Sequence, residues 1–180
     1  DEALKRVEKL CQKTIPFYKI DIQDEHGLTK VFLEHSFDSV IHFAGLKAIG
    51  ESTQNPINYF NTNVGGSIIL TQVMSRFNCK KIIFSSTATV YMGSHSCGIK
   101  EDFPLGPSNP YSRSKLMVEE ILNDLYISDK AWKISILRYF NPIGAHKSGL
   151  IGEDPFGIPN NLFPYIAQVA IGKLKILKIF

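Results

Sequence analysis

The residues able to do chemistry fall in three segments. Ser85-Ser86-Thr87-Ala88-Thr89-Val90-Tyr91 closes an apolar run, and about two dozen residues later comes Pro110-Tyr111-Ser112-Arg113-Ser114-Lys115. Arg138-Tyr139-Phe140-Asn141-Pro142 follows after one more helical stretch. A hydroxyl pair at a strand end, with a Tyr and a Lys four apart on the next helix, can draw a proton off an alcohol. That is the acid/base half of a hydride transfer.

The physics of the pair is specific. A free tyrosine has a pKa of about 10 and is a poor base at neutral pH. An ammonium one helical turn away favours the phenolate, as would an oxidised nicotinamide ring nearby. Bringing the phenol from about 10 to about 7 takes about 4 kcal/mol of preferential stabilisation, within reach of two cations in a poorly solvated cleft. Thr87 or Ser86 would then hydrogen-bond the same substrate hydroxyl.

Tyr-x-x-x-Lys alone decides nothing, because the chain holds both Tyr111/Lys115 and Tyr126/Lys130. Position separates them. Tyr111 follows Pro110, a residue suited to a first helical turn, which sets its ring near the carboxyl edge of a sheet. Tyr126 lies at the far end of the same helix, beside Ser128 and Asp129, and reads as half of a surface pair. The competing reading of Tyr111 and Lys115 is a helix-capping ring beside a solvated lysine.

Short apolar runs at 15–22, 40–44, 81–86 and 134–139 alternate with helical stretches, and the run at 174–180 reads as a further strand. Residues 57–77 carry Ile57, Phe60, Val64, Ile68, Met74 and Phe77 at helical spacing, and Leu116, Val118, Ile121, Leu122 and Leu125 follow Pro110. The strand runs are continuous in apolar character, which predicts burial on both faces. Strand alternating with helix predicts an α/β, doubly wound parallel sheet of Rossmann type, incomplete at both ends. Ligands of such folds sit at the carboxyl ends of the strands. Asp21, Phe43-Ala44-Gly45, Ser85 to Thr87 and Tyr139 to Asn141 all fall at such ends. Residues 142–164, rich in Gly and Pro, read as a long loop, of a length that is usually functional or disordered.

The bulk numbers remove several classes. With 180 residues the chain is one domain with the start of a second, and 44% hydrophobic against 21% charged content is ordinary for a globular protein. A net charge of +3, with no basic cluster interleaved with aromatics, argues against nucleic acid. No apolar run approaches a membrane span. Lys173, Lys175 and Lys178 alternate with Leu and Ile, which reads as a strand and not as a basic membrane tail. The odd cysteine count (Cys11, Cys79, Cys97), without metal spacing, fits a reducing compartment and no bound metal. The absent start Met and the unfinished run at Phe180 suggest a fragment or truncated form.

Other residues divide between two readings. Gly45 closes a strand where backbone must approach a ligand closely. Lys47 is a cofactor contact or a solvated loop lysine. Asn63 bends its helix or makes a local backbone bond. Asn160 and Asn161 cap the last helix or open an anion site at its start. His42, between Ile41 and Phe43, reads as a satisfied core histidine.

The segments Ile41-His42-Phe43-Ala44-Gly45-Leu46-Lys47-Ala48, Ser85 to Tyr91, Tyr111 to Lys115, Leu137 to Pro142, Gly152-Glu153-Asp154-Pro155 and Gly157 to Leu162 together resemble the UDP-glucose 4-epimerase family of the extended short-chain dehydrogenase/reductases. The resemblance implies tightly bound NAD, a UDP-glucose/UDP-galactose substrate, a cytoplasmic homodimer and a role in galactose metabolism. It implies that Tyr111 takes the proton of the sugar 4-hydroxyl while hydride leaves C4, that Lys115 tunes Tyr111 and contacts the nicotinamide ribose, and that Thr87 supplies the hydroxyl. Asp21, Ile22, Phe43, Lys47, Lys115 and Tyr139 match its cofactor contacts. Thr87, Ala88, Thr89, Tyr139, Asn141, Asn160, Asn161, Leu162, Lys178, Ile179 and Phe180 match its sugar-nucleotide contacts.

The chain departs from the family in three ways. Thr87 stands where Ser is usual, which keeps the hydroxyl and adds a methyl. No Gly-x-x-Gly-x-x-Gly follows a strand, so a first βαβ unit is expected to be missing. Met92 precedes Gly93, with one residue fewer than usual before Tyr111. Residues 1–142 then form a partial NAD-binding domain and 143–180 the start of the UDP-sugar region. A 4,6-dehydratase would need an acid/base Asp-Glu pair where Ala88 and Thr89 stand. A simple alcohol dehydrogenase has no need of the segment from Gly152 to Leu162. A truncated, non-catalytic binding or dimer partner is the alternative from another class.

Overall fold

The computed structural model describes residues 2–93, 98–153 and 161–177. They fall in two compact units, one spanning Tyr18–Phe140 and one built from the segments on either side of it.

The larger unit is organised by a parallel sheet of three strands in the order β1 (Val40–His42), β2 (Lys81–Thr87), β3 (Lys133–Tyr139). The register is Val40↔Ile82↔Ile134 and His42↔Phe84↔Ile136, so these six residues share one face. That face is the core. Ile82 and Phe84 pack with Leu70, Val73, Met74, Val118, Leu122 and Trp132, drawn largely from α5 (Gly66–Arg76) and α6 (Pro110–Ser128). Phe32 of α2 (Glu25–Glu34) joins the same cluster.

Two helix starts have a clear local cause. Asp24 Oδ1 accepts the Gly27 N–H at 2.9 Å and caps α2. Asn109 Oδ1 accepts the Ser112 N–H at 2.9 Å, and Pro110 fills the first turn of α6. α5 ends in a left-handed turn at Asn78 (φ 55°), a conformation Asn tolerates, and the chain turns back into β2. Between β1 and α5 lie α3 (Ile49–Gln54), α4 (Pro56–Tyr59) and a π-helical turn over Phe60–Gly65.

In the second unit, α1 (Glu2–Cys11) and α7 (Leu162–Ala170) are the helices. Residues 141–153 hold neither helix nor strand. There the His146 N–H donates to the Ile151 carbonyl at 2.8 Å around Gly149 (φ 71°), and Arg6 Nη1 donates to the Leu150 carbonyl at 3.3 Å.

Three expectations are corrected. The parallel sheet with flanking helices is present, but its second face is not covered among the described residues: Ile41 is 60% and Leu137 39% exposed. Apolar character on both faces of a strand does not supply a covering layer, and α5 and α6 cover one side only. Residues 15–22 form no strand, because a strand needs a ladder partner and none of the described residues provides one. Residues 174–177 are likewise outside any strand, and 178–180 lie outside the described residues. The helix expected over 57–77 is present, running from Pro56 to Arg76 through α4, the π turn and α5, with Ile57 exposed and Met74 fully buried.

Leu122 sits fully buried between α6 and the sheet. Leu122→Ala is expected to destabilise the fold by about 2–5 kcal/mol, read as a lower urea midpoint with the slope unchanged.

Candidate active site

The site is assembled at the carboxyl end of β2. The strand ends at Thr87, whose hydroxyl accepts the Thr89 N–H at 3.2 Å as the chain enters a 3-10 turn over Ala88–Val90. The same oxygen lies 3.0 Å from the Thr89 hydroxyl, which in turn lies 2.6 Å from that of Ser112 in the first turn of α6. The Thr87 hydroxyl also interacts with the Tyr111 phenol. Thr87 and Tyr111, chosen from sequence, therefore meet.

Lys115 stands one helical turn beyond Tyr111 and is only 5% exposed. Its Nζ donates to the Ser85 carbonyl at 3.0 Å and lies 4.9 Å from the centroid of the Phe84 ring. Burial pushes its pKa down to about 8, so the ammonium persists at neutral pH. Tyr111 moves against expectation. Burial raises the phenol above its ordinary value, and the Thr87 hydrogen bond only partly opposes this. The protein's own groups therefore do not make the phenol a ready base.

Ser86 is corrected. Strand parity turns it to the same side as Ile82 and Phe84, where its hydroxyl donates to Glu119 Oε1 of α6. It does not share the Thr87 position. His42 is the core histidine expected. Ser67 Oγ donates to the Asn63 carbonyl, so His42 Nε2 is the donor in the 2.9 Å bond to Ser67 Oγ. Burial, and then the Lys115 charge, lower its pKa to about 4.

Asn63 does more than bend a helix. From the π turn its Oδ1 accepts the Leu46 N–H at 2.8 Å, while Nδ2 donates to the Leu46 carbonyl at 3.0 Å and to Ser114 Oγ at 2.9 Å. It ties the loop after β1 to α6. Gly45 in that loop has φ 150°, and a Cβ there would lie 2.9 Å from Asn63 Oδ1 and 3.6 Å from Lys115 Nζ. Bare backbone thus faces the ammonium. The sequence signal for Asn63 was a polar residue on an apolar helical pattern. Ser114, Glu119 and Arg138 carried no signal separable from an ordinary helix or strand.

The remaining candidates are placed as follows. Phe43 and Tyr139 stack with ring centroids 6.4 Å apart, both substantially exposed. Lys47 and Asp21 are exposed, and the Asp21 carboxylate accepts the Gln23 N–H at 2.8 Å. Ile22 packs on the core, where a Cβ at Gly66 would lie 2.5 Å from its Cγ2. Ala88 and Thr89 form the 3-10 turn. Asn141, Asn161 and Leu162 belong to the other unit. Asn161 holds the N-cap position of α7 without a side-chain capping bond, and its amide donates to Glu153 at 3.3 Å. Asn160, Lys178, Ile179 and Phe180 lie outside the described residues. Tyr126 and Lys130 form a surface cation–π pair at 3.9 Å. No helix among the described residues is long and apolar enough to cross a membrane.

A family model described as GDP-mannose 4,6 dehydratase matches residues 1–180. The chain belongs to that family. Its relatives include UDP-glucose 4-epimerases. It is 53% identical over 179 residues to the UDP-glucose 4-epimerase of Bacillus subtilis, covering 99% of this chain and 53% of that protein. It is 55% identical over 179 residues to the UDP-glucose 4-epimerase of Dictyostelium discoideum, covering 99% and 52%. The crystal structure of UDP-glucose 4-epimerase from Bifidobacterium longum in complex with NAD+ and UDP superposes with a TM-score of 0.91 at 51% identity, over 99% of this chain and 53% of that one. The chain thus spans about half the length of the curated relatives it matches, and the sequence resemblance to UDP-glucose 4-epimerases is borne out.

His42 yields a pH prediction. Its folded pKa of about 4 lies below the ordinary histidine value, so between these pH values the unfolded chain binds the extra proton. Stability should rise with pH from about 4 to about 6.5, by an amount of order 3 kcal/mol, and be lost as pH falls back through that window. Unfolding titrations across the window check this, and His42→Asn should flatten the slope.

Proposed function

We propose that the full-length protein carrying this chain interconverts UDP-glucose and UDP-galactose by NAD-dependent hydride removal and return at sugar C4. The observation that supports it most is the Tyr111 phenol beside the Thr87 hydroxyl, with the Lys115 ammonium one turn away and bonded to the Ser85 carbonyl, at the carboxyl edge of the sheet. The identity to UDP-glucose 4-epimerases supplies the substrate class.

The residues present fit a dinucleotide. Gly45 leaves bare backbone beside Lys115 Nζ. An ammonium has three donors, so Lys115 can keep its Ser85 bond while reaching a ribose hydroxyl. Asp21, Ile22, Phe43, Lys47 and Tyr139 are the further cofactor contacts of this reading. A dinucleotide held there would supply a hydride acceptor and donor for C4, and its oxidised ring would add positive charge beside the phenol.

The chain's own work is acid/base chemistry. Thr87 orients the sugar 4-hydroxyl, and Tyr111 takes its proton and later gives it back. Lys115 stabilises the phenolate. Because burial alone holds the phenol high, Tyr111 becomes a base only once further positive charge stands beside it. Proton removal is thereby tied to a loaded site. Ala88, Thr89, Tyr139, Asn141, Asn160, Asn161, Leu162, Lys178, Ile179 and Phe180 are the sugar-nucleotide contacts that the family resemblance assigns in this reading. Residues 1–142 serve the cofactor and 143–180 begin the substrate region of a cytoplasmic homodimer, with neither nucleic acid nor membrane as partner. Ala88 and Thr89 offer no carboxylate for the elimination a dehydratase requires.

A coupled assay on the full-length protein with NAD present tests the reading, and no turnover of either UDP-hexose would remove it. Tyr111→Phe should lower kcat by about 10²–10⁴-fold with NAD retention unchanged; normal turnover in that variant would sink the base assignment. Thr87→Ser, which keeps the hydroxyl, should retain activity.

A further inference from the structure

Three residues on one stripe of α6 meet the end of β2 in succession. Tyr111 interacts with the Thr87 hydroxyl, Lys115 Nζ donates to the Ser85 carbonyl, and Glu119 Oε1 accepts from the Ser86 hydroxyl. At four-residue spacing these lie on one face of the helix, spread over about 12 Å. The first two rungs belong to the proposed chemistry. The third has no assigned part in it.

Glu119 is 3% exposed, so its carboxylate must be paired where it stands. Arg138 of β3 does this. Its Nη2 donates to Oε2 at 2.7 Å, and its Nε donates to Oε1 and Oε2 at 3.1 and 3.2 Å. A planar guanidinium on a carboxylate fixes orientation as well as distance. Arg138 is held in turn: its Nη1 donates to the Glu101 carbonyl at 3.1 Å, and its guanidinium lies 4.9 Å from the Tyr91 ring. The carboxylate therefore cannot turn without moving β3 or the segment that follows Thr87.

We propose that Glu119, locked by Arg138, is a positioning residue that sets the height and rotation of α6 on β2, and so the Tyr111–Thr87 and Lys115–Ser85 distances. Ser86 and Arg138 are paired in the strand register and directly precede Thr87 and Tyr139. One buried carboxylate thus joins the helix carrying the base to both strand ends that present the neighbouring site residues. A purely structural ion pair would behave differently. Such pairs can be replaced by apolar side chains of similar volume with little loss of stability, and the chemistry would then survive. A positioning pair cannot be so replaced, since a misplacement of about 1 Å can cost about a hundredfold in rate.

The inference rests on the epimerase reading, and the test separates the two. It uses the full-length protein with 3-fluorotyrosine at Tyr111, in Glu119→Gln and in the double variant Glu119→Met with Arg138→Met, which keeps volume and removes both charges. Expected is a kcat lowered by about tenfold or more at temperatures well below each variant's own Tm, with KM little changed. Expected too is a displaced Tyr111 fluorine resonance in cofactor-free protein at neutral pH. Should Glu119→Gln not fold, the double variant carries the same measurements. Unchanged kcat and an unmoved resonance, with only Tm lowered, would overturn the proposal. Should the wild type turn over no UDP-hexose, the epimerase reading fails, and the fluorine resonance alone decides the role of Glu119: displaced supports it, unmoved overturns it.

Discussion

A lysine ammonium with almost no solvent around it must find its acceptors in the protein, and much of the larger unit is arranged about that requirement. Lys115 is met by the Ser85 carbonyl and the face of the Phe84 ring. Carbonyl and ring come from adjacent residues of one strand, so the ammonium is bound only if α6 lies across β2 at one height. The helix start is set to match. The Asn109 cap and Pro110 begin α6 one residue before Tyr111, and Lys115 follows one turn later. His42, beneath the same helix, is held neutral by burial and by the nearby charge. A second buried cation there would add to the desolvation cost.

Tyr111 and Lys115 illustrate how opposing burial effects set up a conditional site. Desolvation favours the neutral form of both groups, raising the phenol and lowering the ammonium. The two shifts invert the ordinary order of proton affinity, so that the ammonium, at about 8, gives up its proton more readily than the phenol. At neutral pH the resting state is phenol plus ammonium. Only added positive charge near the ring would favour phenolate, which is why the protein alone does not hold a waiting base.

What could be read from the sequence and what could not divide along a physical line. The α6 start was legible because its signal is local: Pro110 suits a first helical turn, and the Asn109 cap found in the structure lies beside it. The parallel strands were legible because apolar runs alternate with helical patterns. The side to which Ser86 points was not, since strand parity acquires meaning only when the covering helices are known. The strand expected at 15–22 failed for a related reason: β-propensity marks residues that suit a ladder, and the ladder partner is a separate fact. The Asn63 clamp was illegible because its partners stand 17 and 51 residues away in sequence. The π turn was hidden as well, since inserting one residue into a helix disturbs the apolar spacing only slightly.

The destination of the Glu119 charge has a further consequence. On a helix, residues four apart are neighbours, and an acid at 119 could have taken the ammonium of Lys115 as its partner. That pairing would have satisfied both charges and left the site electrically quiet. Arg138 instead engages the carboxylate through Nε and Nη2, and the Ser86 hydroxyl adds a bond from the strand. Lys115 is left with a neutral carbonyl and an aromatic face, which satisfy an ammonium without cancelling its charge. Its lowered pKa accordingly traces to burial, with no carboxylate holding it up. By occupying Glu119, Arg138 keeps the Lys115 field directed at whatever binds beside Gly45 and Tyr111. A substitution at Arg138 would then disturb the site electrostatically as well as geometrically, because it frees a carboxylate one turn from the ammonium.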